Sequence, residues 1–207
     1  EVTIPSIYDQ YKKVAEYLKK IPERIQIIVC PGNHDGGRIS EPQPPISLKY
    51  APDLNAMPNV IMISNPGMVN IHKQAGFPGL DVLCYHGYSF NYYINNVDSI
   101  RNNGGYHRAD LVMEFLMKRR HLCPTHTSTT YVPNPHKDPL VISQVPDIMA
   151  SGDIHYTSVA NYNNVTLICA SCWEGATAFQ LKLGHDPEPA RVPIVNLQSR
   201  KVKILHF

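Results

Sequence analysis

At 207 residues the chain can bury a substantial core, and its length suits one domain or one large piece of one. A hydrophobic fraction of 43% and a charged fraction of 17% are those of an ordinary globular protein, and a formal net charge of +2 calls for no nucleic-acid partner beyond a local patch. No apolar run approaches the roughly 20 residues of a membrane span, and the N-terminus lacks a signal-peptide pattern, so the expected location is the cytoplasm.

Five cysteines point the same way. Cys30, Cys84 and Cys169 lie inside apolar runs, which favours reduced, buried thiols over a disulfide framework. The sequon at Asn164 is therefore read as accidental.

In chain order, Pro5-Ser6 opens a helix with Ser6 as N-cap and Asp9 three residues on. Ile7, Tyr11, Val14, Ala15 and Leu18 share one face, and Pro22 stops the helix. Ile25–Cys30 reads as a buried strand that runs into Pro31-Gly32 and then Asn33, His34 and Asp35. Helix followed directly by strand is half of a βαβ crossover, and the strand that should precede the helix is expected upstream of residue 1. Prolines 42, 44 and 45 make the next stretch irregular.

Asn59–Ser64, Val69–Ile71 and Leu80–Tyr85 read as strands, the last ending at His86. Asn91–Ile100 and Ala109–Arg120 read as helices. A proline-rich loop with a Thr/Ser/His run fills 121–145, long enough to suggest a job. Asp147–Ala150 then leads to Ser151, Gly152, Asp153 and His155. Val165–Ala170 is another buried strand, Phe179–Leu183 alternates, and Pro193–Leu197 with Val202–Phe207 form a hairpin-like pair.

Three strand ends thus present Asn33/His34/Asp35, His86 and Asp153/His155. In open α/β sheets that end is where ligands bind. Amide oxygen, imidazole and carboxylate suit a first-row divalent ion, and two such ions about 4 Å apart would clamp a phosphate ester and activate water. The other His residues lack this placement. Cys169-x-x-Cys172 has zinc-like spacing but no second pair and reads as core. Arg38 reads as a phosphate contact or, more simply, a solvated loop arginine. Lys118–Arg120 reads as a DNA or partner contact or as helix-end cations, and Trp173 as a cover for the site or a packing residue.

Pro31-Gly32-Asn33-His34-Asp35, Tyr85-His86-Gly87 and Gly152-Asp153-Ile154-His155 resemble the last three motifs of the calcineurin-like metallophosphoesterases. With Glu41-Pro42-Gln43-Pro44, Ser64-Asn65-Pro66, Tyr85–Phe90 and Lys118–Leu122, the pattern is similar to one branch: the small, 3′–5′ exonuclease subunits of archaeal D-family DNA polymerases. The resemblance covers nearly the whole chain, from about Ile7 to the tail. It implies an α/β fold, a metallophosphoesterase-type α/β/β/α sandwich, with residues 1–207 as the C-terminal part of one such domain lacking its first strand–helix portion. It implies Asn33 and His86 as ligands of the second metal, and His155 as a ligand of the first. His34 would be the catalytic His that protonates the leaving oxygen or stabilises phosphoryl charge, and Asp35 the acid that orients it. Two divalent ions are implied, Mn²⁺ first, with Fe, Zn, Ni or Mg as alternatives. The implied partners are a DNA 3′ end, the large catalytic subunit and a sliding clamp.

Two departures matter. Asp153 stands where the family has a His, so a shorter, charged ligand is expected there. The family's Asp-x-His and Gly-Asp motifs are not in this chain and are expected upstream, so the chain alone is expected to bind metal poorly and hydrolyse little. The rivals are a non-catalytic scaffold subunit and another dinuclear phosphoesterase, such as a phosphatase or cyclic-nucleotide hydrolase.

Overall fold

The computed structural model describes residues 3–177, 180 and 186–207. The alternating Phe179–Leu183 segment, apart from Gln180, lies outside them.

Helix α1 (Ile7–Leu18) starts where Ser6 takes extended backbone and its hydroxyl accepts the Asp9 N–H at 3.5 Å. Its buried residues, Tyr11 and Ala15, come from the apolar face that the sequence spacing marks, but Val14, expected on that face, is 43% exposed. They pack with Ile46, Ala51, Leu54 and Met57 around the short helix α2 (Pro52–Asn55). This small cluster supports a parallel pair, β1 (Ile27–Val29) and β2 (Val60–Met62). The expectation of a buried strand over Ile25–Cys30 needs correction. β1 is half-buried along its length and Ile25 is 46% exposed. Among the described strands β1 pairs with β2 alone, and the cluster beside it is small.

The main sheet has five strands: β3 (Gly67–Ile71), β4 (Leu80–Tyr85), β5 (Ile148–Ser151), β6 (Ser158–Tyr162) and β7 (Val165–Cys169). Their order is β3-β4-β5-β7-β6, with β4, β5 and β7 parallel in the centre and antiparallel strands at both edges. The chain is therefore a mixed α/β protein. β7 is buried at every residue, as its unbroken apolar run requires. β6 is not apparent from hydrophobic pattern, because it is short and partly polar. Its signal is Asn163-Asn164, whose φ values of 46° and 65° make the tight left-handed turn that joins it to β7.

The helix expected over Asn91–Ile100 is two, α3 (Phe90–Asn96) and α4 (Asp98–Arg101). Val97 between them takes extended backbone, a conformation its β-branched side chain favours. Helix α5 (Ala109–Arg119) lays Val112, Met113 and Leu116, all fully buried, onto the main sheet's core. Each such side chain contributes about 1.5–3 kcal/mol relative to exposure. β8 (Arg191–Val195) and β9 (Val202–His206) form the expected antiparallel hairpin.

The long segment 121–145 is tied down at both ends. Leu122 donates to the Leu140 carbonyl, and the Glu41 and Val132 amides donate to the Thr130 and Glu41 carbonyls at 2.9 and 2.8 Å. Among the described residues no helix is long and apolar enough to cross a membrane.

Candidate metal centre

Strands β1, β4 and β5 run out at Val29, Tyr85 and Ser151, and the turns that follow carry Asn33, His86 and Asp153. These three side chains converge. His86 Nε2 lies 3.0 Å from Asn33 Oδ1 and 3.1 Å from Asp153 Oδ1. The second Asp153 oxygen accepts an N–H from Asn91 on α3 at 2.9 Å. Asn91 has no sequence signature of its own, since its partner is 62 residues away.

The turns are built for close approach. Gly87 has φ +107°, and a Cβ there would stand 2.9 Å from Ser151 Oγ. A Cβ on Gly32 would stand 2.7 Å from His86 Cε1, so backbone and imidazole are in direct contact. Asp153 and His155 both take left-handed backbone, with φ of 66° and 58°. Such conformations in non-glycine residues cost about 1–3 kcal/mol and cluster at functional sites.

The other expected site residues lie in or beside the same cleft, of about 530 Å³. His155 is in the cleft but outside the three-residue contact, with Nδ1 2.9 Å from Gln180 Nε2. His34 is exposed on the cleft wall. Asp35 is not bonded to His34. Its two oxygens accept the Tyr11 hydroxyl and the Gly32 N–H, each at 2.7 Å, and the Tyr11 oxygen accepts the Gly36 N–H at 2.7 Å. An Asp three residues beyond a turn amide reaches it easily, so Asp35 braces the turn that presents Asn33 and His34. Burial, reinforced by the Asp35 bond, pushes the Tyr11 phenol upward and keeps it a donor at neutral pH.

The remaining candidates have structural partners. Arg38 gives two N–H groups to the Pro42 carbonyl at 3.0 and 2.5 Å. Lys118 pairs with Glu114 at 2.6 Å, Arg119 lies 3.4 Å over the Phe115 ring, and Arg120 donates to the Ile142 carbonyl at 2.8 Å. Trp173 is 74% exposed, and its ring meets Phe207. All five cysteines are free, and Cys169 is fully buried, with burial pushing its thiol up to about 12. It belongs to the core.

An amide oxygen, an imidazole nitrogen and a carboxylate oxygen brought together from three strand ends fit a first-row divalent ion. Among the described residues, no three His, Cys, Asp or Glu side chains gather into a metal-binding group. The Asn33 amide is what brings the donors to three. Such a set leaves coordination positions open for water and substrate.

Beneath the site, Glu41 is 0% exposed, with no ion pair to a Lys or Arg among the described residues. Burial raises its pKa, against hydrogen bonds from Tyr85 and Asn65 that lower it. A carboxyl whose folded pKa lies above the unfolded value, about 4.3, favours the protonated folded state. Its contribution to stability is therefore full in acid and falls as pH rises through the window between the two values. Chemical denaturation should show the midpoint of Glu41→Gln gaining on wild type between pH 4 and pH 8. A constant difference would mean that Glu41 carries no raised pKa.

Residues 3–159 match the family model that describes the B-subunits of DNA polymerases alpha and epsilon. The DNA polymerase II small subunit of Pyrococcus abyssi is 35% identical over 208 residues, covering 100% of this chain and 32% of that protein. That of Methanocaldococcus jannaschii is 38% identical over 191 residues, covering 92% and 30%. That of Archaeoglobus fulgidus is 36% identical over 209 residues, covering 100% and 40%. The chain spans about a third of the length of the first of these relatives.

Proposed function

The chain belongs to the DNA polymerase alpha/epsilon B-subunit family, and from that membership we propose that it is the phosphoesterase portion of an archaeal replicative polymerase's small subunit. In the full-length subunit it takes part in metal-dependent 3′–5′ removal of nucleotides from DNA. The observation that carries this reading is the meeting of Asn33, His86 and Asp153 at one point.

The proposed fold is the metallophosphoesterase sandwich, with the parallel pair β1–β2 and the five-stranded sheet as parts of its two facing sheets. Asn33, His86 and Asp153 would hold one divalent ion, Mn²⁺ first among the candidates, and His155 would contribute to a second. When bound, the ions would clamp the phosphate and supply an activated water. The chain's own groups do the rest. His34, exposed to the cleft, would give a proton to the leaving 3′ oxygen or meet developing phosphoryl charge. Asp35 and Tyr11 hold the turn in place. The DNA 3′ end, the large catalytic subunit and a sliding clamp are the proposed partners.

A second reading keeps the fold as a non-catalytic scaffold for the large subunit. It draws on the small ligand count, three donors including one amide. One assay separates the two. The full-length subunit, incubated with a 3′-mismatched primer and Mn²⁺, should release nucleotides from the 3′ end and stop on chelation. Absent release leaves the scaffold, and release that survives chelation overturns the metal-dependent reading.

A further inference from the structure

A continuous line of buried polar groups runs under the site, and the hydrolysis itself uses none of it. Asn65 is its hub, at 0% exposure. Its Oδ1 accepts the His86 backbone N–H at 2.8 Å. Its Nδ2 donates to Gln43 Oε1 at 2.7 Å and to Glu41 Oε1 at 3.2 Å. Gln43, 4% exposed, donates in turn from Nε2 to the Gly32 carbonyl at 2.9 Å and the Arg38 carbonyl at 3.1 Å. Gln43 and Asn65 also exchange backbone bonds at 2.7 and 2.9 Å. The second oxygen of Glu41 accepts from the hydroxyl of Tyr85, the residue before His86, at 3.2 Å.

The polarity of this line admits only one direction. A backbone N–H can only donate, so Asn65 must turn its oxygen to His86. The Gly32 and Arg38 carbonyls can only accept, so Gln43 must turn its nitrogen to them and its oxygen to Asn65. Glu41 then receives the remaining Asn65 proton. One end of the line grips the turn before Asn33, and the other grips the backbone of His86. Those are the two side chains whose donor atoms stand 3.0 Å apart.

We propose that Asn65 is a positioning residue that sets the spacing of the Asn33 and His86 ligands, with Gln43 as its arm to the first turn and Glu41 as the buried acceptor that locks its amide. The proposal rests on the metal reading above and adds residues that touch neither metal nor substrate. Groups that orient ligands from behind typically change metal affinity by about 10–100-fold when removed.

Asn65→Asp keeps the acceptor for His86 but faces Gln43 and Glu41 with oxygen, adding a second buried carboxylate beside the first. Glu41→Gln in that background supplies an N–H to the new carboxylate. Gln43→Met keeps length and burial while cutting the link to Gly32. Mn²⁺ affinity of the full-length subunit is measured by calorimetry, with thermal unfolding run on each variant.

Asn65→Asp and Gln43→Met should each weaken Mn²⁺ binding by about tenfold or more, and the Glu41→Gln/Asn65→Asp pair should recover affinity over Asn65→Asp. Recovery of that kind follows from donor–acceptor direction and not from general loosening. If Asn65→Asp fails to fold, Gln43→Met decides. Folded variants that bind Mn²⁺ like wild type, or a double variant no better than the single, overturn the proposal while leaving the metal site standing. Wild type that binds no Mn²⁺, or binding untouched by His86→Ala, overturns both.

Discussion

His34→Ala in the full-length subunit should all but abolish 3′-end release while Mn²⁺ stays bound. His34 follows Asn33 directly, is exposed to the cleft, and belongs to none of the contacts that bring Asn33, His86 and Asp153 together. A positioned proton donor contributes about 10²–10⁴-fold to rate, and a loss of that size should fall on kcat. Calorimetric Mn²⁺ affinity should change little, since the converging donors are intact. Parallel loss of metal would make His34 a ligand. Unchanged release would remove it from the chemistry.

The second large effect concerns Asp153. One of its oxygens faces His86 Nε2 at 3.1 Å and the other holds Asn91 at 2.9 Å. Asp153→Ala removes a charged donor and frees Asn91 at once. Mn²⁺ affinity should drop by at least the roughly 10–100-fold that a supporting residue costs, and release should fall with it. Asp153→His tests the same position from the other side. Histidine is among the residues that tolerate left-handed backbone, so φ 66° is no bar to it. A neutral imidazole should raise affinity for a borderline ion such as Zn²⁺ or Fe²⁺ relative to the harder Mn²⁺. If neither substitution moves the affinity, position 153 is not a ligand.

How much of this is legible in the sequence depends on range. The strand-end rule finds Asn33, His86 and Asp153 because each follows an apolar run within a few residues, and the sheet brings those ends together. The N-cap at Ser6, the buried face of α1 and the β8–β9 hairpin are legible for the same reason: each is a local pattern. The partner of Asp35 is not. Its neighbour His34 looks like the natural mate, yet the carboxylate goes to Tyr11, 24 residues earlier, and to the Gly32 amide. Asn91 to Asp153 and Gln180 to His155 span 62 and 25 residues, and nothing in their own surroundings marks either. Strand β6 escapes notice for another reason, its apolar alternation being too short to stand out, although the Asn163-Asn164 turn is there to be read. β1 shows the opposite error. An apolar run reports what can be buried, and only tertiary pairing decides how much is.

The contact between the Gly32 backbone and the His86 ring bears on how the proposed metal cradle would exchange its ion. The Gly32 backbone packs against the Cε1 side of the imidazole, so the ring has a wall on that side. An ion held there as proposed would enter a cradle already walled on that side, and loading it should demand little rearrangement at His86. Exchange of one ion for another should be governed by dehydration of the incoming ion rather than by motion of the protein.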